Sequence, residues 1–292
     1  MLHLTTEFFP PDSPAPLKQL RQTWAKLRQA GVSSYSLTFG ALGSAQDKST
    51  SCLEYMRVAD KNTQPVMHLT CRGQSWHSLE RRLAQWQTLG VERILALRGD
   101  AFSPRKDGPN SSVELIRFLI KQGFKASVAA YPDGHPDAKL HGTRDAENDW
   151  LKRKLDAGAD EVVTQFAPGI GGILRLRDTL KKFDGSTTKL KIGVMPIPDW
   201  QRYVRLVQQC GILNDPGESK LFETFPEDSH AALSLGLAYA NMRALIAEGL
   251  TAFHLYGLNN ARLLLPLIES LHALGHPVAV PSPLSQHVHN QG

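Results

Sequence analysis

Residues 75–100, SWHSLERRLAQWQTLGVERILALRGD, contain one full period of the pattern that sets the fold. The first part has helical periodicity and stops at Gly90; the second, RILALRGD at 93–100, is a short apolar run that ends in Arg-Gly-Asp. The same unit recurs in both directions. LKQLRQTWAKLRQAG places Leu20, Trp24 and Leu27 on one helical face and stops at Gly31, and SVELIRFLIKQG and ENDWLKRKLDAG end at glycines in the same way. Strand candidates lie at 4–9, 34–40, 65–71, 93–100, 125–132, 161–166, 191–197 and 252–259.

Strands that alternate with helices imply parallel pairing through crossover helices. Eight such units in 292 residues predict a single-domain (β/α)8 TIM barrel over 1–282, with 283–292 as a frayed tail. An open doubly wound sheet is the competitor. Its first strand-to-helix turn would carry G-x-G-x-x-G, whereas FFPPDSPAP stands there; PGIGGI at 168–173 has the wrong spacing and reads as a flexible loop. Residues 209–230 break the alternation and read as an insertion after the seventh unit.

Composition narrows the function classes. Hydrophobic residues at 41% and charged residues at 21% describe a globular protein, and the net charge of +5 is spread too evenly for a nucleic-acid surface. Three scattered cysteines give neither a disulfide framework nor a zinc site, and no apolar run is long enough for a membrane span, so a cytoplasmic protein with no bound metal is expected.

In such a barrel the working face lies at the C-terminal ends of the strands. Those ends carry Glu7, Thr38, His68 with Thr70, Arg98-Gly99-Asp100, Tyr131 with His135, Thr164-Gln165, Met195-Pro196, and Tyr256 with Asn259. Any one of these could be a helix cap; polar groups on all eight strands suit a polar ligand better. Two acids stand out. Asp100 follows Arg98 by two strand positions, which allows an ion pair that keeps it ionised. Glu7 has no basic neighbour, and Phe8, Phe9 and the prolines would strip water from it, which raises a carboxyl pKa toward that of a general acid.

TEFFPP, SLTFGA, HLTC, ILALRGD, AAYPDGHP, LKRKLDAGAD, TQF, GVMPI and FHLYGLN occur in the order and spacing of the methylenetetrahydrofolate reductases, and the chain resembles their bacterial single-domain form. The resemblance implies a barrel that binds FAD, accepts electrons from NADH or NADPH and reduces 5,10-methylenetetrahydrofolate to 5-methyltetrahydrofolate. By motif, Glu7 becomes the acid that assists opening of the substrate's five-membered ring. Asp100 holds the pterin near the flavin, and Gln165 binds folate. Thr38, His68, Leu97, Arg98, Gly99, Asp100, Tyr131, His135, Arg153 and Lys154 fall on FAD-contact positions. Relatives of this kind are commonly homo-oligomers, and neither nucleic acid nor membrane is implied as a partner.

There are departures. APGIGGI follows TQF where relatives have another phenylalanine and an aspartate, Trp200 stands for a stacking phenylalanine, Trp150 stands near a family asparagine, and YGLN replaces YTLN. A flavin barrel acting on a different small substrate, and a folate- or flavin-binding paralogue without activity, therefore stay open as alternatives.

Overall fold

The computed structural model describes residues 1–11, 13–39, 47–99, 104–135, 144–184, 188–197, 199–210, 212, 216–276 and 278. Asp100 and the tail from 279 onward, with its expected fraying, lie outside them. Eight strands, β1 His3–Phe8, β2 Val32–Leu37, β3 Val66–Thr70, β4 Arg93–Leu97, β5 Lys125–Ala130, β6 Glu161–Thr164, β7 Lys189–Val194 and β8 Ala252–Leu255, pair in chain order into a closed barrel. Every neighbour is parallel, and β8 returns to β1 through Leu4↔Phe253 and Thr5↔His254. The predicted TIM barrel is the observed fold.

The surrounding helices are α1 Pro14–Gln29, α2 Asp47–Ala59, α3 Trp76–Thr88, α4 Ser112–Lys121, α5 Arg144–Asp156, α6 Ile170–Asp184, α7 Trp200–Gln209, α8 Pro216–Thr224, α9 His230–Ala247 and α10 Ala261–Ala273. Leu20, Trp24 and Leu27 of α1 are all buried, each contributing about 1.5–3 kcal/mol by leaving water. Gly31, Gly90, Gly123 and Gly158, the expected helix stops, all have positive φ, the left-handed conformation that a side chain disfavours. Ser75, Ser111 and Asp199 cap α3, α4 and α7 by accepting backbone N–H bonds.

The strands end sooner than the sequence suggested. Residues 98–99, 165–166, 195–197 and 256–259 are loop, because at the mouth the chain must leave the ladder to reach its helix. Gly99 makes that exit at φ +82°. Leu258 and Asn259 also take positive φ, and Asn259 uses its side-chain amide as a substitute peptide, accepting from Phe9 N–H and donating to Phe9 O, both at 2.8 Å.

One loop expectation changes, and the expected insertion gains detail. Residues 170–173 of PGIGGI are the first turn of α6; a Cβ on Gly172 would come within 2.5 Å of Asp133 Oδ1 and 2.9 Å of Pro132 O, so its glycine permits close packing on the β5–α5 loop. The segment 209–230 contains α8 and a 3-10 turn at Glu227–Ser229; Phe222 of α8 is buried against α7 in a second apolar cluster.

Candidate active site

Successive strand residues face opposite ways, so Leu4, Thr6 and Phe8 of β1 face the helices while Thr5 and Glu7 enter the barrel. Phe8 packs on Trp24 and Tyr35, ring centroids 6.3 and 6.1 Å away. It therefore does not shield Glu7, contrary to the sequence expectation. The barrel interior does that work: the Glu7 side chain is 13% exposed, and burial alone raises its pKa to about 8. The expected consequence holds while its stated cause was wrong.

His68 enters from β3. Its Nε2 shares a hydrogen bond with Ser36 Oγ at 3.0 Å and stands 3.7 Å from Glu7 Oε2. Burial lowers the imidazole to about 4, so near neutral pH both groups are uncharged and the contact is not an ion pair. Tyr256 donates its hydroxyl proton to Thr164 O at 2.9 Å. Burial, Glu7 and Tyr131 raise its pKa well above that of a free phenol, which puts it within electrostatic reach of the acid and of the cavity opposite.

That cavity, about 440 Å³, opens beyond β4 and β5. Leu97, Arg98, Tyr131, His135 and Lys154 from the sequence reading line it. Arg72, Glu147, Trp150 and Asn110-Ser111-Ser112 at the start of α4 line it too. The sequence reading missed most of these; the available signal was the S-x-x-E capping pattern that begins α4. The Lys154 ammonium donates to Ala129 O at 3.2 Å; desolvation lowers its pKa, partly offset by Glu147. Desolvation likewise raises Glu147, with Lys154 opposing.

Arg153 does not line the cavity. Its guanidinium lies over Trp150, 5.3 Å from the ring centroid, and Trp150 is itself part of the cavity lining. His68 is likewise inside the barrel, not on the cavity wall.

The arrangement suits a ligand that is flat at one end and anionic at the other. Thr38 Oγ1 is buried with no hydrogen-bond partner among the described residues. A Cβ on Gly99 would meet Thr70 Cβ at 3.0 Å, so only glycine holds that turn. Three cations and the amide end of a helix supply anion donors. Gln165 Oε1 accepts from Phe166 N–H at 3.0 Å, which leaves its NH₂ as the end it can offer a ligand. Trp200 stacks parallel on Phe222, centroids 4.6 Å apart, and near Tyr203 at 5.6 Å.

The model of one protein family, described as methylenetetrahydrofolate reductase, matches residues 2–272. The chain belongs to that family. A 5,10-methylenetetrahydrofolate reductase of Buchnera aphidicola is 29% identical over 265 residues, covering 90% of this chain and 88% of that one. The enzyme of the same name from Escherichia coli is 27% identical over 275 residues, covering 92% and 90%. A Clostridium thermocellum protein, described as binding two copies of 5-methyl-5,6,7,8-tetrahydrofolic acid, superposes with a TM-score of 0.64 at 11% identity, over 93% of this chain and 96% of that one. At that identity the likeness is one of fold. Methylenetetrahydrofolate reductases are oxidoreductases, and membership makes this chain an enzyme of that class. Among the described residues no helix is long and apolar enough to cross a membrane, and no group of three metal-ligating side chains occurs.

Proposed function

We propose that this protein reduces 5,10-methylenetetrahydrofolate to 5-methyltetrahydrofolate with FAD as its cofactor and NADH or NADPH as electron donor. The observation that carries the reading is Glu7, an acid at the strand mouth that keeps its proton to about pH 8 and has no cation beside it among the residues described as its neighbours. Such a group can protonate N10 of the substrate as the C–N10 bond breaks, which leaves an iminium at N5 ready for hydride.

FAD, when bound, supplies the hydride-carrying ring between donor and folate. Arg98, Lys154, Arg72 and the start of α4 would hold its pyrophosphate, and Leu97, Gly99 and Thr38 its ring system. The Gln165 amide would orient the pterin. Asp100 keeps the pterin-binding role that the family pattern assigns to it. His68, placed among the cofactor contacts by motif, acts instead on Glu7 from below.

A second reading, the same redox chemistry on another small acceptor, draws on Trp200: its ring is stacked on Phe222, so the folate-side aromatic is not an open shelf. Separate half-reactions decide. Protein loaded with FAD should be bleached by NADH or NADPH and re-oxidised by methylenetetrahydrofolate in single turnover. Bleaching with re-oxidation only by other acceptors would replace the substrate, and failure to bind FAD would sink both readings.

A further inference from the structure

Barrels of this architecture normally fill their interior with branched apolar side chains. Here seven strands surround a cavity of about 20 Å³ whose lining includes Thr5, Ser36, His68, Glu161, Lys191 and His254. A volume of that size has room for one water molecule, which needs two to four polar partners; the lining supplies them. We propose that this interior is a proton path, joining Glu7 to solvent at the N-terminal face of the barrel through His68, a water in the cavity, His254 and the Lys191–Glu161 pair. The proposal rests on the reading of Glu7 as an acid.

Three contacts mark the route, and the shared cavity lining joins them. Glu7 Oε2 stands 3.7 Å from His68 Nε2, about 0.7 Å beyond a hydrogen bond and within the reach of a small side-chain rotation. His254 Nδ1 shares a hydrogen bond with Thr5 Oγ1 at 2.8 Å. Below, Lys191 Nζ meets Glu161 Oε2 at 2.9 Å, and Ser127 donates to Glu161 Oε1 at 2.7 Å. Glu161 is 5% exposed and Lys191 20%, so the lysine touches solvent. The Arg93–Asp160 pair completes this floor, with Asp160 46% exposed.

One proton moves and nothing is oxidised. After Glu7 gives its proton to the substrate, its carboxylate takes the Nε2 proton of His68 as the ring accepts another at Nδ1 from the water, so the imidazole changes tautomer without becoming an anion. His254 passes a proton to the water in the same way, the Lys191 ammonium supplies His254, and solvent reloads Lys191. Neutral imidazoles suit this traffic because each can accept at one nitrogen and release from the other; burial holds both His68 and His254 neutral. Among the described residues Tyr256 and Cys210 also couple to Glu7; burial raises both, so they hold their protons near neutrality. A path from below reloads the acid while bound cofactor and substrate cover the mouth.

The test uses FAD-loaded full-length protein. His254→Asn keeps a polar group beside Thr5 but cannot relay a proton; Lys191→Met with Glu161→Gln removes the charged pair. In both, reduction by NADH or NADPH and the first oxidation by methylenetetrahydrofolate should stay within about twofold of the parent, while multiple turnover slows at least about tenfold with an enlarged solvent deuterium effect. A readout free of turnover is infrared: after a pH jump, the protonated-carboxyl band that Glu7→Gln abolishes should recover at least about tenfold more slowly in His254→Asn. Parent-like multiple turnover and band recovery would overturn the path while the acid reading stands. Equal loss in first and later turnovers would also overturn it, marking the interior as purely structural. If Glu7→Gln itself leaves the folate half-reaction intact, the acid reading fails first.

Discussion

Glu7 and Asp60 are both buried carboxyls, and their surroundings give them opposite character. Asp60 lies between α1 and α2, paired with Arg28 and accepting from Trp24 Nε1 at 2.9 Å and from Thr63 Oγ1 and N at 2.6 and 3.1 Å. Burial pushes its carboxyl up, but those bonds outweigh it and hold it below the ordinary range. Glu7 is buried beside a neutral imidazole, and desolvation stands unopposed. Burial alone therefore does not decide whether a carboxyl is an anchor or an acid; the donors that converge on it do.

The same carboxyl-to-amide change should separate the two sites. Glu7→Gln should slow the folate half-reaction by about 10²–10⁴-fold with flavin reduction by NADH or NADPH unchanged, measured by single-turnover absorbance; equal loss in both halves would remove the acid role. Asp60→Asn strands the Arg28 charge and should destabilise the fold by about 3–5 kcal/mol, read from denaturant melts, with little effect on the half-reactions of protein still folded.

Stability against pH sharpens the contrast. Folded Glu7 keeps its proton to about pH 8 while the unfolded chain releases it near 4.5, so the folded state binds more protons in that window and stability falls as pH rises through it. Glu7→Gln should abolish that slope and gain on the order of a few kcal/mol at pH 8. Asp60 has the opposite sign: its contribution is present above the unfolded pKa of 3.8 and is lost only as pH falls below it. The folate half-reaction should likewise hold below pH 8 and decline about tenfold per unit above it. The smallest effect expected is Asn259→Ala, which removes both bonds to Phe9 at about 1–2 kcal/mol and loosens the end of the strand that carries Glu7; a parent-like melt would show those bonds to be dispensable.

Much of this was legible in the chain. Eight strands, glycine stops with positive φ and a row of polar strand ends are local signals, because periodicity and backbone freedom act over a few residues. Arg98, Tyr131 and His135 stood out for the same reason, at or just past strand ends, whereas Leu97 and Lys154 came only from the family resemblance; all five line the cavity. Arg153, which came from the resemblance, lies on Trp150 and outside the cavity lining, and PGIGGI was misread because a packed first turn looks like a loop until Asp133 and Pro132 are beside it.

By itself the sequence determined the alternation, the closed parallel barrel and the family, since each follows from pattern and motif along the chain. Only the tertiary structure decided why Glu7 keeps its proton, that His68 sits beneath it, and that His254, Lys191 and Glu161 share one interior cavity. Those properties depend on groups far apart in sequence, and a pKa is set by what is near in space.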